Sequence, residues 1–241
     1  MQVLAGVSQE ARPSRRVYRT RVSRRDAVAE HLLHQAVADR HAALAAALNW
    51  THVAARAQTR RLPDSYWLAE PHEWQVANAR QVAAAEARIG EPVASVHAAP
   101  DPSSGATRLS VFAPDAPGLF YRIAAGLAAG GASVVDARVH TTRDGMAMDN
   151  LLVTDARGQG YGDPRHRDRL VKAVTKALGE EAPQLPVIGD APREVFSVAP
   201  SVLIAEAASS RTTVVEVNAR DRPGLLARLA QAIHGSGHVL H

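Results

Sequence analysis

The stretch VFAPDAPGLFYRIAAGLAAGGASVVDARVH, residues 111–140, decides the fold. Leu109, Val111 and Ala113 alternate with Arg108, Ser110 and Phe112, the period of a strand. The run PDAPG breaks that strand. Leu119, Ile123 and Leu127 then recur at helical spacing with the small Gly126 between them, and Gly130-Gly131 ends the helix. ASVVDARVHTTRD and MAMDNLLVTDARG follow as two strands, joined by a hairpin at Asp144-Gly145. DPRHRDRLVKAVTKALG, residues 163–179, reads as a helix: Asp163 caps it, Pro164 suits its first turn and Gly179 stops it. Its apolar stripe is Leu170, Val171, Val174, Ala177 and Leu178. After a proline-bearing linker at 182–200, SVLIAEA reads as one more strand. The order βαββαβ predicts an α+β, ferredoxin-like sandwich of two helices over an antiparallel sheet.

The same programme begins again near the end of the chain. Asp115-Ala116-Pro117-Gly118-Leu119 aligns with Asp221-Arg222-Pro223-Gly224-Leu225 at an offset of 106 residues. Gly131 then aligns with Gly237 and Val134 with Leu240, so the second copy holds a strand, a helix and only the threshold of a second strand. Such a unit has no sheet of its own on which Leu225, Leu229 and Ile233 can be buried. The expected division is a basic arm and helical segment (1–60), a linker and helix (61–105), a first βαββαβ domain (106–208) and an incomplete second one (211–241).

Upstream, residues 1–25 are rich in arginine and poor in large apolar residues, which predicts an exposed helix start or an unstructured arm. Asp26 to Gln58 is alanine-rich, with Val28, Leu32, Ala36, Val37, Leu44 and Leu48 near helical spacing: one or two amphipathic helices. RLPDSYWLAEPHEW (61–74) interrupts this pattern with two prolines and gathers Tyr66, Trp67 and Trp74, a cluster suited to a domain junction. A further helix is expected from Glu73 to about Ile89, stopped by Gly90, and APDPSSG (99–105) has the composition of a loop or hairpin end.

Charge is distributed unevenly. Residues 1–61 hold 11 Lys and Arg against 4 Asp and Glu, whereas residues 62–241 hold 17 against 20. The basic character therefore sits in the front quarter, which argues against a nucleic-acid-binding protein throughout. No apolar run is long enough to span a bilayer, the N-terminus lacks the apolar core of a secretory signal, and there is no cysteine. A cytoplasmic location without membrane contact is the expectation.

The D-x-P-G turn carries the chemistry. An Asp at a helix entrance can accept from backbone N–H groups such as that of Gly118 or Gly224. Proline sets φ for the first turn, and glycine lets a backbone or ligand come close. The helix N-terminus then favours a carboxylate or other anion. The candidate ligand-binding residues are Asp115, Gly118, Leu119 and Phe120 in the first copy, and Asp221, Gly224 and Leu225 in the second.

These residues resemble an ACT domain, the small-molecule-sensing module of amino-acid metabolism. More narrowly, VDARVHTTRDGMAMDNLLVTD and TVVEVNARDRPGLL resemble the tandem ACT domains at the C-terminus of bifunctional uridylyltransferase/uridylyl-removing enzymes. LPDSYWLAEP resembles the segment leading into that pair from the family's HD hydrolase domain. The resemblance covers about residues 26–241 and is strongest from 106. It implies glutamine as effector, the PII nitrogen-signalling protein as partner, and self-association through ACT units. The family's nucleotidyltransferase pattern, a Gly-Ser motif and an Asp-x-Asp pair for Mg²⁺, does not occur here, nor does any His-Asp dipeptide of its hydrolase. The expectation is a C-terminal piece, without catalytic residues, cofactor or turnover of its own. Mg²⁺ would belong to the catalytic domains of the whole enzyme.

Other clusters carry less. His31, His34 and His41 share a helical segment without a carboxylate to complete a metal site, and His234 and His238 straddle Gly235-Ser236-Gly237. Asp136, His140, Asp144 and Asp149 lie around the hairpin and read as polar residues of a sheet surface. The arginines at 12, 15, 16, 19, 21, 24 and 25 leave one alternative open: a non-catalytic ACT-type interaction module whose arm binds nucleic acid or a partner.

Overall fold

The computed structural model describes residues 2–8, 24–88, 94–185, 201–205, 213–218 and 224–240. In chain order the elements are β1 (Gln2–Ser8), α1 (Arg24–Leu48), α2 (His52–Arg61), α3 (Asp64–Ala69), α4 (His72–Glu86), β2 (Ser95–Pro100), β3 (Thr107–Pro114) and α5 (Leu119–Ala129). They continue as β4 (Ser133–Arg138), β5 (Met146–Thr154), α6 (Pro164–Leu178), β6 (Ser201–Ala205), β7 (Thr213–Asn218), α7 (Leu225–Gly235) and β8 (Val239–Leu240).

The helix and hairpin expectations hold for local physical reasons, except that α4 ends at Glu86 and the expected stop at Gly90 lies outside the described residues. Asp163 accepts from the Arg165 N–H at 2.9 Å and Pro164 opens α6, while Gly145, at φ 77°, turns the chain between β4 and β5. Leu170, Val174 and Ala177 are the buried stripe of α6. The segment around Tyr66 forms the short α3 between two prolines that each precede a helix, Pro63 and Pro71.

The first sheet is antiparallel in the order β2-β3-β5-β4 and carries α5 and α6 on one face, the α+β ferredoxin-like sandwich. Leu109, Val111, Leu151 and Val153 pack there against Ile123, Leu127, Leu170 and Val174. The opposite face is covered as well. Phe112 and Met148 pack beneath Leu44, Leu62, Tyr66, Trp67 and Val82 of the helical layer α1–α4. The aromatic cluster is thus a junction: Tyr66 and Trp67 meet edge to face at 5.0 Å, and Arg108 lies over Trp74.

Strand allocation departs from the sequence expectation in two places. The fourth strand of the first sheet is β2, which hairpins into β3, so the unit runs ββαββα. SVLIAEA supplies β6 to the other sheet, paired with β7. The second departure is at the N-terminus, where residues 2–8 form a strand rather than part of an arm. The second sheet has the order β6-β7-β1-β8, with β1 antiparallel to both neighbours, so the second copy is supplied with a sheet. The physical reason is register. β2 and β6 start 106 residues apart, at Ser95 and Ser201, and pair with β3 and β7 at equivalent positions, Phe112 and Asn218. The repeat therefore begins one strand earlier than its turn motif suggests. Residues 9–23, which hold most of the arginine run, lie outside the described residues, as do 186–200, most of the proline-bearing linker.

The two-sided first sheet is tied to the helical layer through buried polar groups. Glu70, whose side chain is fully buried, accepts from His140 Nε2 at 2.9 Å and from Arg138 at 3.3 Å. Asn78 donates to Tyr66 Oη and to Asn150 Oδ1, each at 3.1 Å. Arg61 pairs with both Glu86 and Asp144 at 2.6 Å and lies over Phe112. This contact holds the Asp144 carboxyl down at about 2. Glu70→Ala leaves His140 and Arg138 without their shared acceptor and should lower stability by about 2–4 kcal/mol, read as a shift in the chemical denaturation midpoint.

Candidate functional site

The site grows out of the turn between β3 and α5. The Leu119 N–H bonds to the Ala116 carbonyl at 3.0 Å, and Gly118 stands at φ 79°, ψ 5°, the third position of a type II turn whose second position is Pro117. A left-handed residue is required there, which is why the motif ends in glycine. Gly224 repeats this geometry at φ 78°, ψ 3°, at the entrance of α7. In both turns glycine is the helix cap, and no side chain caps either helix.

Asp115 is therefore not the helix cap that its spacing suggests. Its Oδ2 accepts from the Thr141 hydroxyl at 2.8 Å, and its N–H donates to the Gly145 carbonyl at 3.0 Å. The acid fastens the turn to the β4–β5 hairpin. The first-turn N–H groups of α5 beyond Leu119 have no intrahelical carbonyl ahead of them and remain available to an anion.

α7 packs against α5, burying Tyr121, Ala125 and Ala230 together. Tyr121 donates to the Pro183 carbonyl at 2.7 Å and its ring lies parallel to that of His234. Asp115, Gly118, Leu119 and Phe120, predicted from the first copy, line one cleft with Asp149, Ile233, His234 and His238. The Gly224–Leu225 end of the second copy lies across the helix pair, among Ala124, Leu127, Ala128 and Ala132 of the first. Asp221 lies outside the described residues. Gly118 and Gly224 each face the other copy's helix with a pseudo-two-fold relation. Ala124, Leu127, Ala128 and Ala132 are each 106 residues from Ala230, Ile233, His234 and His238.

The two ends differ in crowding. A Cβ on Gly118 would meet the His234 ring at 2.9 Å, whereas one on Gly224 would have nothing nearer than Ala128 at 3.9 Å. As it stands, the first cleft leaves about 20 Å³ unfilled, room for about one water. His234 is an exposed side chain at the end of α7.

Asp149 is the residue that sequence reasoning misplaced. Rather than lying on a sheet surface, it is 1% exposed, and neither carboxylate oxygen has a hydrogen-bond partner. Burial, with the Asp115 charge adding to it, pushes its carboxyl up to about 8; the His140 backbone N–H opposes this weakly from outside hydrogen-bond geometry. His140 is buried too. Asp149 shares its strand phase with the core residues Ala147, Leu151 and Val153, but Met148 on the other phase is a core residue too, so alternation alone does not mark the acid as inward. Asp136 and Asp144 are part-exposed ion-pair residues, as expected of polar side chains on a sheet rim.

The hairpin loop joins the cleft to the helices. Thr141 bonds Asp115 on the cleft side, while His140 bonds Glu70 and the Arg143 N–H bonds the Arg61 carbonyl on the helical side. Elsewhere His31 and His34 are exposed, and His41 meets Trp67 edge to face at 4.6 Å. Among the described residues no group of three or more His, Asp or Glu side chains is placed to hold a metal ion, and no helix is long and apolar enough to cross a membrane.

Comparison with known proteins locates this arrangement. The chain is 44% identical to a bifunctional uridylyltransferase/uridylyl-removing enzyme of Erythrobacter litoralis, over 72% of its own length and 19% of that relative's. It is 41% identical to the enzyme of the same name from Novosphingobium aromaticivorans, over 76% of this chain and 20% of the relative. A third, from Zymomonas mobilis, is 40% identical over 77% of this chain and 20% of its own length. The chain thus spans about a fifth of the length of the curated relatives it matches. No family model and no solved structure matches it.

Gly118→Ala should cost more stability than Gly224→Ala. Both force a side chain into left-handed backbone at about 1–3 kcal/mol, and only the first also strikes a neighbouring ring, so thermal unfolding of the two variants should separate them. The raised Asp149 carboxyl makes a second test. The unfolded chain releases this proton near pH 4 and the folded chain holds it to about 8, so folding takes up a proton between those values. The Asp149 contribution to stability therefore falls as pH rises from 5 to 8. Asp149→Asn should show a flatter pH dependence of its melting temperature than the wild type across that window.

Proposed function

Because the chain belongs, over the residues it shares with them, to the family of bifunctional uridylyltransferase/uridylyl-removing enzymes, we propose that it is the regulatory, amino-acid-sensing region of such an enzyme. Glutamine is the proposed effector and PII the proposed protein substrate of the whole enzyme. In that enzyme glutamine would favour removal of uridylyl groups over their transfer.

One observation carries this reading: the cleft at the first D-x-P-G turn is walled by both copies of the repeat. A ligand lodged there touches α5 of one copy and α7 of the other, so its binding energy acts on how the two copies are held together. The ligand's carboxylate would meet the free N–H groups of the first turn of α5, where the helix dipole favours negative charge. Admission requires His234 to move from its place against Gly118, which alters the α5–α7 contact. The same turn is fastened through Asp115 and Thr141 to the hairpin, and the hairpin through His140 to Glu70 of the helical layer. That layer contains the segment whose resemblance puts it beside the hydrolase domain, so it offers a physical route from the ligand to the catalytic part. The chemistry of uridylyl transfer and removal, with its Mg²⁺, would reside in other domains.

Isothermal titration calorimetry of the full chain with L-glutamine tests the proposal. Saturable heat is expected with the wild type, with loss in Gly118→Val, whose side chain fills the space before the helix terminus. No saturable heat with the wild-type chain overturns the glutamine reading.

A further inference from the structure

Asp149 faces the cleft from β5, in the strand phase of the core residues Ala147, Leu151 and Val153. A carboxyl group that is 1% exposed and has both oxygens without a hydrogen-bond partner is a standing cost to the fold. No lysine or arginine is found among the described residues lining the cleft. The two histidines there are engaged on the far wall, His234 against the Tyr121 ring and His238 Nδ1 at 2.9 Å from Ser236 Oγ. Among the described residues no cation meets Asp149, so a partner able to hold it ionised is one that a bound molecule would bring. Such a molecule must be small and carry several N–H donors, since two oxygens lack partners and the cleft is narrow. Asp115 lies in the same cleft and adds to the negative potential.

We propose that the cleft at Gly118 recognises a small molecule bearing a protonated primary amine, with Asp149 as the acceptor that selects it, and that the Gly224 end has no such site. The second half of this statement comes from register. Asp149 pairs with Val111 across β5 and β3. The repeat puts Val217 in the place of Val111, and Val217 pairs with Val3 of β1. By register Val3 stands opposite Val217 as Asp149 stands opposite Val111, and a valine side chain carries no hydrogen-bond acceptor. Ala128 and Ala132 likewise stand where the first cleft has His234 and His238, and among the described residues the Gly224 cleft is lined by no charged side chain. The pseudo-two-fold frame is shared, but the amine-selecting chemistry is confined to one end. The inference rests on the reading of the cleft as an amino-acid site and narrows it to one amine-bearing ligand per chain.

The test titrates the full chain calorimetrically with L-glutamine, L-asparagine and L-serine, each beside its deaminated counterpart: glutaramate, succinamate and 3-hydroxypropanoate. At least one amine should bind at one molecule per chain, with its deaminated partner weaker by about tenfold or more, the value of one charged hydrogen bond. Asp149→Asn should weaken the amine by a similar factor and leave the deaminated compound within about threefold of its wild-type affinity. The deaminated pairs are measured on wild-type protein, so they decide the matter even if the variant does not fold. Glutamine binding twice per chain, or glutaramate matching glutamine, overturns this inference and leaves the glutamine reading standing. Asparagine or serine binding through Asp149 while glutamine does not supports the inference and removes the glutamine reading. Failure of all three amines overturns both.

Discussion

The first sheet is buried on both faces, and most of what is distinctive in this chain follows from that constraint. β3 and β5 have almost no exposed residue, because α5 and α6 cover one side and α1–α4 the other. Polar groups on such strands lose water on folding and must find partners inside. On the helical side several do so, although Asn150 Nδ2 and Asn78 Oδ1 stay without one. Asn150 meets Asn78, and Gln81 reaches the carbonyls of Ser95 and Ser110. On the other side Asp149 finds none, and it lies where the sheet opens toward the α5 turn. The unsatisfied carboxyl group and the free helix terminus are therefore brought together by the same layer packing.

The hairpin between β4 and β5 makes this placement consequential. It is pinned on one side to the D-x-P-G turn through Thr141 and Asp115, and on the other to the helices through His140, Arg138 and Asp144. A change at the turn is thus passed to paired polar contacts, of which Glu70 and His140 are buried, rather than to a loose surface loop. Glu70 has few alternative arrangements, because each would leave its buried carboxyl group without a partner. The second copy of the repeat presses on the same turn from the opposite side through His234.

Local chemistry made much of this legible beforehand. The helices followed from apolar spacing and stop signals, the hairpin from Asp144-Gly145, and the two turns from glycines that the backbone requires to be left-handed. What the reading lacked was strand partnership. SVLIAEA looks like a strand wherever it pairs, and nothing in its alternation says that it joins β7 instead of β3. Residues 2–8 carry apolar side chains beside a basic run, which hid a strand whose partners lie at the other end of the chain. Asp149 was misread for a related reason. MAMDNLLVT is apolar on both faces, so it shows no alternation by which an inward acid could be told from an outward one.

By itself the sequence determined the repeat, its offset, the type and extent of most elements, and the glycine turn in each copy, because all of these depend on residues close together in the chain. Only the tertiary structure decided which strands share a sheet, that α7 closes over the first turn, and that Asp149 faces the resulting cleft while Val3 stands at its register position in the second sheet. Those facts depend on pairings between distant segments, where backbone hydrogen bonding is indifferent to side-chain identity. The choice among partners is made by which faces can be buried together.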